Sequence, residues 1–105
     1  MRSVIWSSDA LDEFDRAIGY IAEDNPYAAD RVADAIAIAV EGLTVMATGR
    51  KGRVDGTYEK VVAKLPYIIA YALHTEADGC EVVYLLHVIH TSRNWKPGTW
   101  PERKQ

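Results

Sequence analysis

The spacing of apolar residues changes period once along the chain. Leu11, Phe14, Ile18 and Ile21 recur at intervals of three, four and three, which marks one face of an amphipathic helix. Ser7, Ser8 and Asp9 precede that face, and their side-chain oxygens can satisfy the orphan amides of a first helical turn. Asp12 and Glu13 then lie near the positive end of the helix dipole, and Asp12 and Arg16 form an i,i+4 pair. Asn25-Pro26 ends this helix and begins another, because proline keeps its predecessor out of the α region yet fits a first turn. The second helix is predicted from about Pro26 to about Ala47, with Ala29, Val32, Ile36, Val40 and Leu43 facing inward. Ala28, Ala33, Ala35, Ala37 and Ala39 keep it thin enough for close approach of its neighbour, and Gly49 is read as its stop.

Elsewhere the pattern is that of strands. Arg2–Trp6 is a short β-type run at the front. Arg50–Gly56 is a basic loop punctuated by glycine, after which Thr57–Lys64 and Pro66–His74 read as strands rich in aromatic and β-branched residues. Thr75–Gly79 carries the Asp78-Gly79 turn signal, and Cys80–His90 is an almost continuously apolar strand, hence central and covered. The expected fold class is α+β: an N-terminal strand and an αα-hairpin packed on one face of a mainly antiparallel, four-stranded sheet. With 105 residues, 49% of them hydrophobic, the chain makes one domain over 1–105, with about 96–105 an irregular C-terminal tail.

Composition narrows the setting. A single cysteine, Cys80, excludes an intramolecular disulfide and points to a reducing, cytoplasmic location. The opening MRSVIWSSDALDEF has too short an apolar run for a secretory leader, and no segment reaches membrane-spanning length. The net charge of −3 is unevenly divided. Residues 1–49 hold three basic against nine acidic residues, whereas residues 50–105 hold nine basic against six acidic. The basic second half could meet an anion or an acidic partner, or could simply be solvated.

Candidate chemistry is sparse. His74, His87, His90 and Cys80 lack metal-ligand spacing, and no phosphate-binding glycine loop or nucleophile elbow is present, so no metal and no cofactor is expected. The basic set is more informative. Arg50, Lys51 and Arg53 precede a strand on which Tyr58, Lys60 and Lys64 share parity, and His90, Arg93 and Trp95 end the last strand. Convergent cations, aromatics and a histidine suit a small metal-independent ribonuclease. They equally suit a surface that docks an acidic peptide, or strand edges kept soluble by charge.

The succession of strand, helical hairpin, "GRKGRVDGTYEKVV", "LPYIIAYAL", "VVYLLHVIHTSRNW" and "KPGTWP" resembles the RelE/ParE toxin superfamily of bacterial type II toxin–antitoxin modules. The resemblance runs from Val4 to about Pro101, and its most specific parts are Gly49-Arg50-x-Gly-x-Val54-x-Gly56-Thr57 and His90-x-x-Arg93-x-Trp95. It implies a cytoplasmic toxin, without a membrane, held in a hetero-oligomer by a cognate ParD-like antitoxin. Operator DNA would be reached only through that antitoxin.

RelE-type members cleave messenger RNA on the ribosome, whereas ParE-type members bind and block DNA gyrase. "GTYEKVV" and "HTSRNW" resemble ParE more closely, and the last two strands lack a dense series of cations. Under the ParE reading no catalytic residue is expected, and Arg50, Arg53, Tyr58, His90, Arg93 and Trp95 form or support the target-binding surface. Under the ribonuclease alternative, His90, Arg93, Arg53, Tyr58 and Glu59 are the candidates for proton transfer and phosphate clamping. A non-toxic, antitoxin-binding relic is a third possibility. Trp6, Tyr20, Tyr27 and Met46 are the candidate antitoxin-binding residues.

Overall fold

The computed structural model describes residues 2–91. Its elements are β1 (Ser3–Trp6), α1 (Ser8–Asp24), α2 (Pro26–Val45), β2 (Arg50–Lys51), β3 (Tyr58–Val61), β4 (Tyr67–Thr75) and β5 (Glu81–His90). The predicted tail, with Arg93 and Trp95, lies outside the described residues. The α+β class and the helical hairpin are as expected, but the sheet has five strands rather than four, in the order β1-β5-β4-β3-β2. The addition is β2, whose Arg50 and Lys51 pair antiparallel with Glu59 and Tyr58. Two residues are too few to show a period, so the sequence reads them as loop. β1 runs parallel to β5, and the other neighbours are antiparallel.

Both helices begin on side-chain caps. The Ser7 hydroxyl accepts from the Ala10 amide at 3.0 Å and donates to the Leu86 carbonyl at 3.0 Å, which ties the start of α1 to β5. Asn25 serves two helices at once. Its amide donates to Ile21 O at 2.8 Å to close α1, and its Oδ1 accepts from the Ala28 amide at 3.1 Å to open α2. α2 ends earlier than predicted, at Val45, with Met46 in an extended conformation as the cap. Gly49 is therefore not the stop. It lies in the following loop at φ +123°, where a Cβ would come 2.5 Å from the Glu59 carbonyl oxygen.

The core lies between the helices and one face of the sheet. Ala10 from α1 and Ile36, Val40 and Leu43 from α2 meet Tyr67, Ile69 and Tyr71 of β4 and Val83, Leu85 and Val88 of β5. On α1 the predicted stripe departs only at its start, where Ala10 is fully buried and Leu11 is exposed, while Phe14 packs against the core and Ile18 and Ile21 are partly buried. The core positions of β5 also change phase, from 83 and 85 to 88. Tyr71 pairs with Leu85 and Ala70 with His87, so Leu86 is an extra residue, a β-bulge.

β1 stops at Trp6, opposite Leu85, and among the described residues no strand pairs with the outer edge of β5 beyond that point. A helix carboxylate closes it. Glu13 Oε1 accepts from the Val88 amide at 2.9 Å, and its Oε2 lies 3.1 Å from Nδ1 of buried His87. Replacing Glu13 with alanine leaves a buried amide and imidazole without that acceptor. The expected cost is about 1–3 kcal/mol, read as a lower urea midpoint with faster amide exchange at Val88. An unchanged midpoint would remove this role.

Lys64, predicted to lie on a strand, instead sits in the β3–β4 turn at φ +65°. There Val62 N donates to Tyr67 O at 3.0 Å and Leu65 N donates to Val62 O at 3.2 Å. A left-handed conformation costs an L-residue more than glycine. Lys64→Gly is expected to stabilise the fold by about 0.5–1 kcal/mol in chemical denaturation, whereas a loss of stability would show that the lysine side chain contributes there.

Candidate functional site

Strand alternation separates Glu59 from its neighbours. Tyr58 and Lys60 lie on the helix-facing side: the Tyr58 ring stacks on Tyr71 with centroids 5.5 Å apart, and Lys60 Nζ donates to Thr48 Oγ1 at 2.7 Å. Glu59 lies on the other side, opposite Ala70, and is only 3% exposed. A carboxylate buried to that extent needs cationic partners, and the basic loop supplies them. Arg53 gives it three hydrogen bonds: backbone N and Nε reach Oε2 at 3.0 and 2.9 Å, and Nη2 reaches Oε1 at 3.0 Å. Arg50 Nη2 lies 3.4 Å from Oε1. Burial by itself would push the Glu59 carboxyl up, but the hydrogen bonds and charge of Arg53, with help from Arg50, hold it below the usual carboxylate value. The Arg53 guanidinium is correspondingly raised, chiefly by its hydrogen bonds to Glu59.

The rest of the hairpin closes tightly on this pair. Gly52 N donates to Thr57 O at 2.8 Å, and Thr57 Oγ1 donates to Val54 O at 2.6 Å. A Cβ on Gly52 would collide with Thr57 Oγ1. Arg50 and Lys51 remain exposed, the Arg50 side chain to 63%.

The predicted target-binding residues are thus only partly gathered. Arg50, Arg53 and Glu59 form one cluster. Tyr58 lies against the core on the opposite face, and Lys64 has left the face that it was expected to share with Tyr58 and Lys60. His90 pairs with Tyr67 on β4, its ring edge-on to Tyr67 at 5.2 Å. The Tyr67 position is three residues along β4 from Ala70, about 10 Å from the level of Glu59. Glu59 and His90 therefore do not form an acid–base pair around one phosphate. Arg93 and Trp95 lie outside the described residues.

The candidate antitoxin-binding residues also divide. Trp6 is half-buried and packs edge-on against Phe14, with ring centroids 5.4 Å apart, as part of the core margin. Tyr20, Tyr27 and Met46 are exposed. Sequence reasoning missed Ile38, which is 70% exposed, together with exposed Val45 and Val61. Ile38 and Val61 flank an open groove of about 390 Å³, lined by Ala35, Ala39 and Gly42 of α2 and by Lys60, Val62 and Ala63. A signal for this groove was present. Ile36, Ile38 and Val40 make α2 apolar on more than one side, which a helix covered along a single stripe does not need. Among the described residues no helix is long and apolar enough to cross a membrane.

Comparison with known proteins is consistent across sequence and structure. The family model described as "ParE toxin of type II toxin-antitoxin system, parDE" matches residues 4–95. The protein described as "Putative toxin Y4kP", from Sinorhizobium fredii, is 36% identical over 95 residues, which cover 90% of this chain and 93% of the relative. A solved structure described as "Chromosomal ParDE TA system from P. aeruginosa" superposes with a TM-score of 0.75 at 18% identity, covering 86% of this chain and 96% of that one, and so shares the fold. With the sequence match spanning both helices, the basic hairpin and the last two strands, the chain belongs to the ParE toxin family of type II toxin–antitoxin systems.

Proposed function

We propose that this chain inhibits DNA gyrase by binding it, and that a cognate ParD-like antitoxin neutralises it by covering the groove between α2 and β3. The observation that carries the antitoxin half is the groove itself. Ile38 and Val61 are exposed apolar residues flanking this one concave strip, where water contact is unfavourable and a partner segment could bury them. The solved structure that shares the fold is that of a ParDE system, which supports a partner of that kind. The complex would be a cytoplasmic hetero-oligomer that reaches operator DNA only through the antitoxin.

The choice of gyrase over messenger RNA rests on the state of the candidate catalytic groups. Transfer of a ribose 2′-hydroxyl proton needs an available base near a phosphate clamp. Glu59 is buried, ionised and occupied by Arg53, and His90 stands at a different level of the sheet. A docking surface needs no such pair, and the exposed cations of the hairpin suit an acidic protein face.

The purified chain is expected to stop gyrase from supercoiling a plasmid, or to accumulate cleaved plasmid, while leaving message intact in a translating extract. Ordered cuts in message with normal supercoiling would overturn the gyrase reading. Ile38→Asp places a charge in the groove and is expected to cost about 2 kcal/mol or more of antitoxin affinity, measured by calorimetry, without loss of helical circular dichroism. Undiminished affinity would remove the groove as the antitoxin site.

A further inference from the structure

We propose that Glu59 is the positioning residue of the basic hairpin, that Arg53 is its internal counter-ion, and that Arg50 supplies the cation meeting an acidic face of the target. The proposal deepens the gyrase-binding reading and rests on it for the identity of that target.

Three observations carry it. Glu59 accepts hydrogen bonds from the backbone amide of Arg53 as well as from its guanidinium, so it fixes the path of the loop and not merely one side chain. Gly49 and Gly52 lie where a Cβ would strike the Glu59 carbonyl and the Thr57 hydroxyl, so the chain on both sides of β2 is shaped for close approach to β3. Arg50 touches the same carboxylate at 3.4 Å from its outer side while staying 63% exposed, so Glu59 aims this cation without covering it.

The electrostatics follow from the geometry. One carboxylate and the Arg53 guanidinium largely cancel inside the hairpin, since Arg53 Nε and Nη2 each donate to a Glu59 oxygen. The outward positive charge on the Glu59 face is then that of Arg50, which stands opposite Glu59 in the β2–β3 pairing, whereas Lys51 falls on the face of Tyr58. A buried ion pair is weak support for stability, because a well-packed apolar pair serves as well or better. What it supplies at this place is direction: a fork that holds the loop at one distance from the strand.

The test combines amide exchange with a double-mutant cycle on gyrase binding by the full chain. Glu59→Gln keeps the shape and removes the charge. It is expected to speed exchange of the Arg53 and Gly52 amides about a hundredfold, while core amides such as Ile69 keep their wild-type rates. Arg50→Gln and Glu59→Gln are each expected to weaken binding to purified gyrase about tenfold, and the double variant no further than either alone. Losses that multiply to about a hundredfold would show that Glu59 does not act through Arg50 and would overturn the proposal. Should Glu59→Gln fail to fold, Arg53→Lys keeps a cation beside Glu59 but loses the fork. The same faster exchange and the same non-additivity with Arg50→Gln are expected. Unchanged hairpin exchange in the folded variant would also overturn it. If the wild-type chain binds no gyrase, the target reading fails on its own, and exchange at Arg53 still decides whether Glu59 holds the hairpin.

Discussion

The ladder between β4 and β5 is the constraint on which the other contacts depend. It runs from Tyr67 opposite His90 to Thr75 opposite Glu81, and both faces of its centre are covered. Its one irregularity, the extra residue at Leu86, has consequences on the outer side. β1 pairs with β5 only as far as Leu85, and among the described residues the remaining edge is met by side chains rather than by a strand. The Ser7 hydroxyl and the Glu13 carboxylate do this, and in doing so they fix where α1 begins and how it crosses the sheet. On the side toward β3, Ala70 stands opposite Glu59. Its single methyl leaves room on that face for a carboxylate and the guanidinium that answers it.

Adjacent residues of β3 then serve opposite faces. Lys60 lines the apolar groove beside α2, and Glu59 holds the basic hairpin on the other side. On the proposed reading, antitoxin in the groove and target at the hairpin would be neighbours through one strand without sharing a contact residue. Neutralisation would then act either by the bulk of the antitoxin or by a change carried through the β3 backbone, and a rigid five-stranded sheet favours bulk.

What could be read from the sequence was what repeats or punctuates. Both helices, the Asn25-Pro26 junction and the turn at Asp78-Gly79 declared themselves through period and cap chemistry, and Gly79 does adopt a positive φ of 89°. The bulge at Leu86, the left-handed Lys64 and the two-residue β2 had no such signal. Each is a single-residue or two-residue event decided by tertiary pairing, which local propensity does not see. Parity sets Glu59 opposite to Lys60 in orientation, as it is in the fold. Parity alone could not tell which face would be buried, nor that Arg53, six residues earlier, would fold back onto the carboxylate.

The same difficulty applies to reading a binding surface from charge. The positive balance of the second half invited a patch built from every nearby cation. In the fold these cations have different employments. Arg53 is held by Glu59, and Lys60 is engaged with Thr48 over the helix-facing side. Formal charge counts them alike, yet a guanidinium already bonded to a buried carboxylate contributes little field to an approaching partner, because the pair is nearly neutral at a distance. Burial of the acid thus decides which base is left for recognition. A lone carboxylate among basic residues reads in sequence as a flaw in a cationic patch. Here it is what gives the patch a shape, since it spends one arginine to orient the next.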